Sequence, residues 1–199
     1  MKINREKVEQ LVRTMKPLFT DSSRASQIKT KGACDYVTQV DIQVQKLIKE
    51  GLYQMYPQVQ FMGEEQDNTA IDRKGDFWIL DPVDGTTNLI HDFRHSTLSL
   101  AYAEAGTVEL GIVYQPYTDE MFVAVKGKGA FLNGKPIHVS EAKTLSESLV
   151  TIGTSPYYHE LADWIFKVFK EVFLSCQDIR HLGSAALDMA YVACGRVDA

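Results

Sequence analysis

Residues 78–88 read WILDPVDGTTN, and this stretch decides how the rest of the chain is understood. Trp78, Ile79 and Leu80 form an apolar strand end that runs directly into two carboxylates, Asp81 and Asp84. Pro82 favours a turn between the acids, which lets both reach one hard cation. Gly85, Thr86 and Thr87 follow. Peptide N–H groups in such a turn can face an anion, most easily where a helix begins. A cation beside an anion cradle points to metal-assisted chemistry on a phosphate.

Further acids lie upstream. Glu64 and Glu65 follow the short apolar run Val59 to Met62, and Asp35 and Asp41 flank the start of a helix. Acids after strands are ordinarily solvated loop residues. Three such clusters together with the Gly-Thr-Thr turn read instead as one site. If the strands ending at Met62 and Leu80 are neighbours, Glu64, Asp81 and Asp84 converge. Oxygen ligands without His or Cys favour Mg²⁺ over Zn²⁺. Thr86 has a hydroxyl for water and an N–H for phosphate, and Asp41 is placed to accept its proton. Gly183-Ser184-Ala185 opens a last helix and can offer backbone donors to a substrate oxyanion. His91, His95 and His181 lack metal-ligand spacing and are read as structural. GAFLNGKP, residues 129–136, imitates a phosphate-binding loop, but Pro136 stands where Ser or Thr is required and the segment reads as a hairpin.

The periodicities give the frame. Val8, Leu11, Val12, Met15, Leu18 and Phe19 predict one N-terminal helix, and Thr20 to Gly32 a loop. Asp35 or Thr38 caps a second helix with the stripe Val40, Val44, Leu47, Ile48 and Met55, ended by Pro57. Strands are expected at Val59–Met62, from Phe77, at Leu98–Tyr102, Val108–Tyr114 and Met121–Val125. Asn133-Gly134 predicts a hairpin joining Ala130–Leu132 to Ile137–Val139. A strand at Leu149–Ile152 precedes a helix carrying Leu161, Ile165, Val168, Phe169 and Val172. The helix from Ser184 ends near Gly195, and Arg196 begins a strand. Helices mixed with antiparallel meanders predict an α+β or layered α/β fold. One domain is expected over residues 1–199, with an N-terminal lobe to about residue 140 and a C-terminal lobe, 141–199, that looks incomplete because the last strand stops short.

Composition narrows the class. The chain has 199 residues, 45% of them hydrophobic, and a net charge of −5, so a basic nucleic-acid surface is not expected. Three cysteines, Cys34, Cys176 and Cys194, form no C-x-x-C pair, which fits a reducing compartment. No leader-like core or membrane-length apolar run is seen, so the expected location is cytoplasmic.

In sequence the chain resembles the inositol monophosphatase family of Mg²⁺-dependent, lithium-sensitive phosphatases. The resemblance is carried in order by DYVTQVD (35–41), GEE (63–65), WILDPVDGTTN, the KGKGAFLNGKPIHVS hairpin (126–140) and GSAALDMAYVACGRVDA (183–199). It implies the layered αβαβα sandwich of the inositol monophosphatase and sugar phosphatase type, and a homodimer. It also implies roles. Glu64, Asp81 and the Val83 carbonyl would hold a first Mg²⁺, Asp81 and Asp84 a second, and Glu64 a weaker third. Thr86 and Glu64 would activate the attacking water, with Asp41 behind Thr86. Gly85 and Thr86 amides would bind phosphate, joined by Lys29, with Lys31 as the alternative. Asp84 and the turn Gly183, Ser184 and Ala185 would meet substrate hydroxyls. The family continues beyond the VDA with a substrate-binding Glu and a Trp-Asp motif, so a C-terminal part appears absent. The expected activity is hydrolysis of inositol monophosphate or a similar small phosphate ester. NADP(H) and fructose-1,6-bisphosphate are alternative substrates, and a non-catalytic binder of metal and phosphate is the alternative class.

Overall fold

Helix α1 (Arg5–Arg13) begins at Asn4, whose side-chain oxygen accepts a hydrogen bond from the Lys7 N–H at 3.1 Å. The computed structural model describes residues 3–21, 28–32, 35–154 and 158–199, without the side chains of 28–32 and 35–36. The single N-terminal helix expected from periodicity is two: α1 stops at Arg13 and α2 runs Lys16–Thr20. Pro17 sits in the first turn of α2, where a missing N–H costs nothing, but it ends continuity with α1. The apolar stripe survives the break, because Val8, Val12, Met15, Leu18 and Phe19 are all buried. The stretch expected to be a loop holds a strand: β1 (Ile28–Gly32) pairs antiparallel with β2 (Asp35–Thr38). Polar strands of this kind have no apolar alternation to betray them.

Helix α3 (Gln39–Met55) is capped by Thr38, not Asp35. Thr38 Oγ1 accepts from the Val40 N–H at 3.0 Å, and Asp41 Oδ2 accepts from the Thr38 N–H at 2.8 Å. This reciprocal box fixes the entry of α3 and orients Asp41 at once. The buried stripe is Val40, Val44, Ile48 and Leu52, and Leu47 is exposed. Leu47 lies about 100° around the helix from Ile48, so the expected stripe was one residue too wide.

The large sheet has seven strands in the order β3-β4-β5-β6-β7-β8-β9. They are β3 (Gln60–Gly63), β4 (Phe77–Asp84), β5 (Thr97–Glu104), β6 (Thr107–Gln115), β7 (Glu120–Val125), β8 (Gly129–Leu132) and β9 (Lys135–Pro136). β3 and β4 are parallel, and every other neighbouring pair is antiparallel. One face meets α1–α3 through Trp78, Leu80, Leu98, Leu100, Ile112, Tyr114 and Met121. The other presents Val113 and Phe122 to Leu187 and Ala190 of the last helix. Met121 and Phe122 pointing to opposite layers is the period-2 alternation of a sheet covered on both faces. The Asn133-Gly134 hairpin is present, with both residues at positive φ, but its return strand is Lys135–Pro136 rather than Ile137–Val139. Residues 129–136 form this hairpin, as expected of the rejected phosphate loop.

A helix α4 (Thr86–Ile90) follows β4. Beyond the large sheet, β10 (Leu149–Thr151) and β11 (Asp178–Arg180) form a two-stranded parallel sheet, with α5 (Ala162–Ser175) crossing between them. α6 (Ala185–Ala193) then returns to the large sheet. The result is helices, sheet, helices, sheet, helix. The strand expected from Arg196 is not formed as such. Residues 198 and 199 run beside β10 instead, with the Asp198 N–H donating to the Leu149 carbonyl at 2.8 Å and the Thr151 N–H to the Ala199 carbonyl at 2.7 Å. Cys176 and Cys194 are free thiols, and Cys34 lies outside the described residues. Among the described residues no helix is long and apolar enough to cross a membrane.

Candidate functional site

The parallel register of β3 and β4 sets Gly63 beside Leu80, so the next residues, Glu64 and Asp81, emerge side by side. The Glu64 N–H donates to the Leu80 carbonyl at 3.2 Å, which extends the ladder to the first acid. Gly63 is required here for space: a Cβ would stand 2.4 Å from Gln45 Oε1. That same oxygen accepts from the Glu65 N–H at 2.9 Å. Gln45 therefore braces the acidic turn from one helical turn beyond Asp41. Sequence reasoning missed it, although its i+4 spacing from Asp41 was a usable signal.

After Asp81 the strand bulges, and the ladder with β5 resumes at Asp84. The Val83 N–H donates to Asp81 Oδ1 at 3.1 Å, a turn closed by the aspartate itself. Gly85 then adopts φ +89°, and a Cβ there would lie 2.9 Å from the Gly183 carbonyl and 3.2 Å from that of His95. Only glycine tolerates both demands. Asn88 locks the approach, donating from Nδ2 to the carbonyls of His95 at 2.8 Å and Leu182 at 2.7 Å. The turn at 183–185 is thus fastened to the Gly-Thr-Thr turn by backbone proximity, almost a hundred residues apart in sequence.

The Thr86 hydroxyl lies 3.0 Å from the Val83 carbonyl and 3.3 Å from Asp41 Oδ1, and donates toward them. Asp41 is 2% exposed, a buried carboxylate rather than a solvated residue of the α3 surface. Its Oδ2 accepts from the Thr38 N–H and from Thr38 Oγ1 at 2.6 Å, leaving Oδ1 for Thr86. Burial raises the Asp41 pKa, and the Thr38 hydrogen bonds oppose that rise.

Asp84 is held differently from the expected cluster. Its Oδ2 accepts from Ser184 Oγ and from the Ala186 N–H, both at 2.7 Å. In the turn expected to meet substrate, the Ser184 hydroxyl is thus engaged by Asp84. The backbone donor to Asp84 is Ala186, the second residue of α6, one of the N-terminal amides that have no intrahelical partner. Ser184 is buried, with Thr97 Oγ1 at 3.3 Å from its hydroxyl. Among the described residues no three or more carboxylate, imidazole or thiol groups stand close enough to share one ion. The structure joins Glu64 to Asp81 and leaves Asp84 on the helix start. The Lys29 side chain lies outside the described residues.

The electrostatics are those of crowded anions. Burial, then repulsion from Glu64 and from Asp84, pushes the Asp81 carboxyl up to about 8. Burial and the Asp84 charge also raise Asp188, on the first turn of α6, to about 6. Burial lowers His95, against the pull of Asp84. His95 packs edge-on to Phe93 and Tyr191, consistent with a structural part. Glu64 and Asp81 are oxygen donors side by side, and the repulsion between them, added to that from Asp84, is what a hard divalent cation relieves. The residues present fit such an ion.

Comparison with known proteins places this geometry. The sequence profile of the inositol monophosphatase family matches residues 2–199. A fructose-1,6-bisphosphatase/inositol-1-monophosphatase of Thermotoga maritima is 40% identical over 171 residues, 85% of this chain and 63% of its own length. The crystal structure of the extragenic suppressor protein SuhB from Bartonella henselae superposes with a TM-score of 0.90 at 30% identity, covering 96% of this chain and 75% of that one. A structure of an inositol monophosphatase/NADP phosphatase complexed with Mg²⁺ and phosphate superposes at 0.79, with 26% identity over 95% of this chain and 69% of that one. The chain spans 61–66% of the length of the curated relatives it matches.

Proposed function

The chain belongs to the inositol monophosphatase family, and from that premise we propose that this site hydrolyses small phosphate monoesters with Mg²⁺ and water. The observation that carries the reading is the Thr86 hydroxyl beside Asp41 Oδ1, next to the Glu64–Asp81 pair. Glu64, Asp81, Asp84 and the Val83 carbonyl would hold two or three Mg²⁺ ions. Bound there, Mg²⁺ supplies a Lewis acid for the phosphate and lowers the pKa of water.

The chain's own residues do the rest. Asp41 takes the Thr86 proton in a charge-assisted hydrogen bond, which leaves the Thr86 lone pairs facing outward to accept from water. Glu64 accepts the second water proton and so fixes the direction of attack. Gly85 and Thr86 present backbone N–H groups to the phosphate, together with Lys29. Asp84, with the turn at Gly183, Ser184 and Ala185, orients a substrate hydroxyl. No phosphoenzyme is required, because no side chain in this set is placed as a nucleophile.

Inositol monophosphate is the proposed substrate. The T. maritima relative and the inositol monophosphatase/NADP phosphatase support testing fructose-1,6-bisphosphate and NADP(H) beside it. Family membership also supports a cytoplasmic homodimer inhibited by Li⁺. The deciding experiment is phosphate release from these three esters with Mg²⁺ present and chelated. Mg²⁺-dependent release that Thr86→Ala and Asp41→Asn each remove is the expected result. Binding of Mg²⁺ and phosphate without turnover would move the chain to the non-catalytic class.

A further inference from the structure

A cavity of about 560 Å³ opens between the second half of α3, the segment from Pro57 to Phe61, and Ile71. That volume is in the range of small-molecule sites. Leu52, Val59, Phe61, Ile71 and Trp78 give it apolar walls, and Lys46 and Lys49 lie on its lining one helical turn apart. Trp78 is 1% exposed, and among the described residues its buried indole Nε1 has no hydrogen-bond partner. A buried indole N–H ordinarily finds an acceptor, so Trp78, one of the lining residues, keeps an unmet donor. Lys49 Nζ is held 2.7 Å from Gln66 Oε1 and over the Phe61 ring, 5.5 Å from its centre. A neutral amide oxygen is a weaker partner for an ammonium than a carboxylate.

We propose that this cavity binds a small organic anion with an apolar body, of the aromatic carboxylate class. The hydrocarbon would rest against Phe61, Ile71 and Trp78, and the carboxylate would meet Lys46 and Lys49. Of the charged groups on the lining, two are cations and one, Glu50, is an anion, so the net charge selects a carboxylate over an amine. The proposal is independent of the phosphatase reading, since none of these residues belongs to the proposed catalytic set.

The test is calorimetric titration of the full chain with 4-tert-butylbenzoate, with 4-tert-butylbenzamide as the neutral control. Saturable one-to-one binding is expected for the acid, weaker by about tenfold or more for the amide, as befits loss of a hydrogen bond to a charged group. Ile71→Trp, which fills the cavity, should abolish it. The double variant Lys46→Gln, Lys49→Gln alters only exposed side chains and should weaken it by a similar factor. It decides the matter even if Ile71→Trp fails to fold. The protein has two tryptophans, so in Trp164→Phe the emission reports Trp78 alone and should change on binding. Equal affinity for the amide, indifference to the lysine pair, retention in folded Ile71→Trp, or loss of binding in Trp164→Phe would each overturn the proposal, as would no saturable heat with the acid.

Discussion

Helices α3 and α5 are written in the same code and meet opposite fates. Both have apolar residues at helical spacing. In α3, Val40, Val44 and Ile48 are fully buried against the large sheet. In α5 no residue is buried: Trp164 is 66% exposed, Phe166 62% and Leu174 67%. Periodicity states which face of a helix is apolar; whether anything lies against that face is a property of the tertiary structure. The difference also separates two regimes. The α3–β4 region is clamped on both sides and holds its carboxylates in register. The β10–α5–β11 region is joined to the rest through backbone pairs such as Asp198 to Leu149.

The comparison is sharpened most strongly by catalysis. Asp84→Asn should lower turnover by about a thousandfold or more, since loss of charge at a metal and substrate contact removes several kcal/mol of transition-state stabilisation. Its folding midpoint should move little, because the asparagine oxygen can still accept from Ser184 or Ala186. Steady-state kinetics alongside thermal unfolding checks both halves, and near-normal turnover at saturating Mg²⁺ would remove Asp84 from the site. Ile48→Ala, in the clamped region, should cost about 2–5 kcal/mol by denaturant unfolding, as buried Ile-to-Ala truncations do.

Gly85→Ala comes next. It combines positive φ with a near contact on the Gly183 carbonyl, and should cost about 1–3 kcal/mol and loosen the junction between the two turns. Hydrogen exchange at residues 183–186 would show the loosening.

The pH dependence has a definite sign. With Mg²⁺ chelated, the Asp81 carboxyl in the folded protein titrates far above its unfolded value of about 3.9. The native state then binds the extra proton between the two pKa values, so this group's stabilisation is full below about pH 4 and is lost as pH rises toward about 8. Asp81→Asn should erase that slope, and so should saturating Mg²⁺. An unchanged slope in Asp81→Asn would show that the acids do not repel as described. The smallest effect belongs to α5: Phe166→Ser should shift stability by no more than about 0.5 kcal/mol, as substitutions at open positions do. A loss comparable with Ile48→Ala would mean that the α5 face is covered in solution.

Much of the site was legible because its chemistry is local. The Asp81–Thr86 turn, the cap at Thr38, the helix start at Ser184 and the hairpin at Asn133-Gly134 are each fixed by residues within a few positions of one another. Asp41 was paired with Thr86 by residue chemistry and again by family resemblance, but its burial could not be read from its own neighbourhood. Gln45, Asn88 and Ala186 were not foreseen. Gln45 and Asn88 each meet a backbone group distant in sequence, at Glu65 and Leu182, and the Ala186 N–H meets the distant Asp84 carboxylate. A glutamine on a helix or an asparagine after a turn looks the same in sequence whether or not such a partner exists.

The sequence by itself determined the acids, the glycine at positive φ, the alternation of the strands and the family. These follow from dihedral preferences and periodicity, which are short-range. Only the tertiary structure decided that β3 and β4 run parallel in the register that sets Glu64 beside Asp81. It alone turned Asp84 onto the start of α6, and left the α5 face open while burying that of α3. Those outcomes depend on which surfaces meet, and contact between distant segments is an energy of the whole fold rather than of any one stretch of chain.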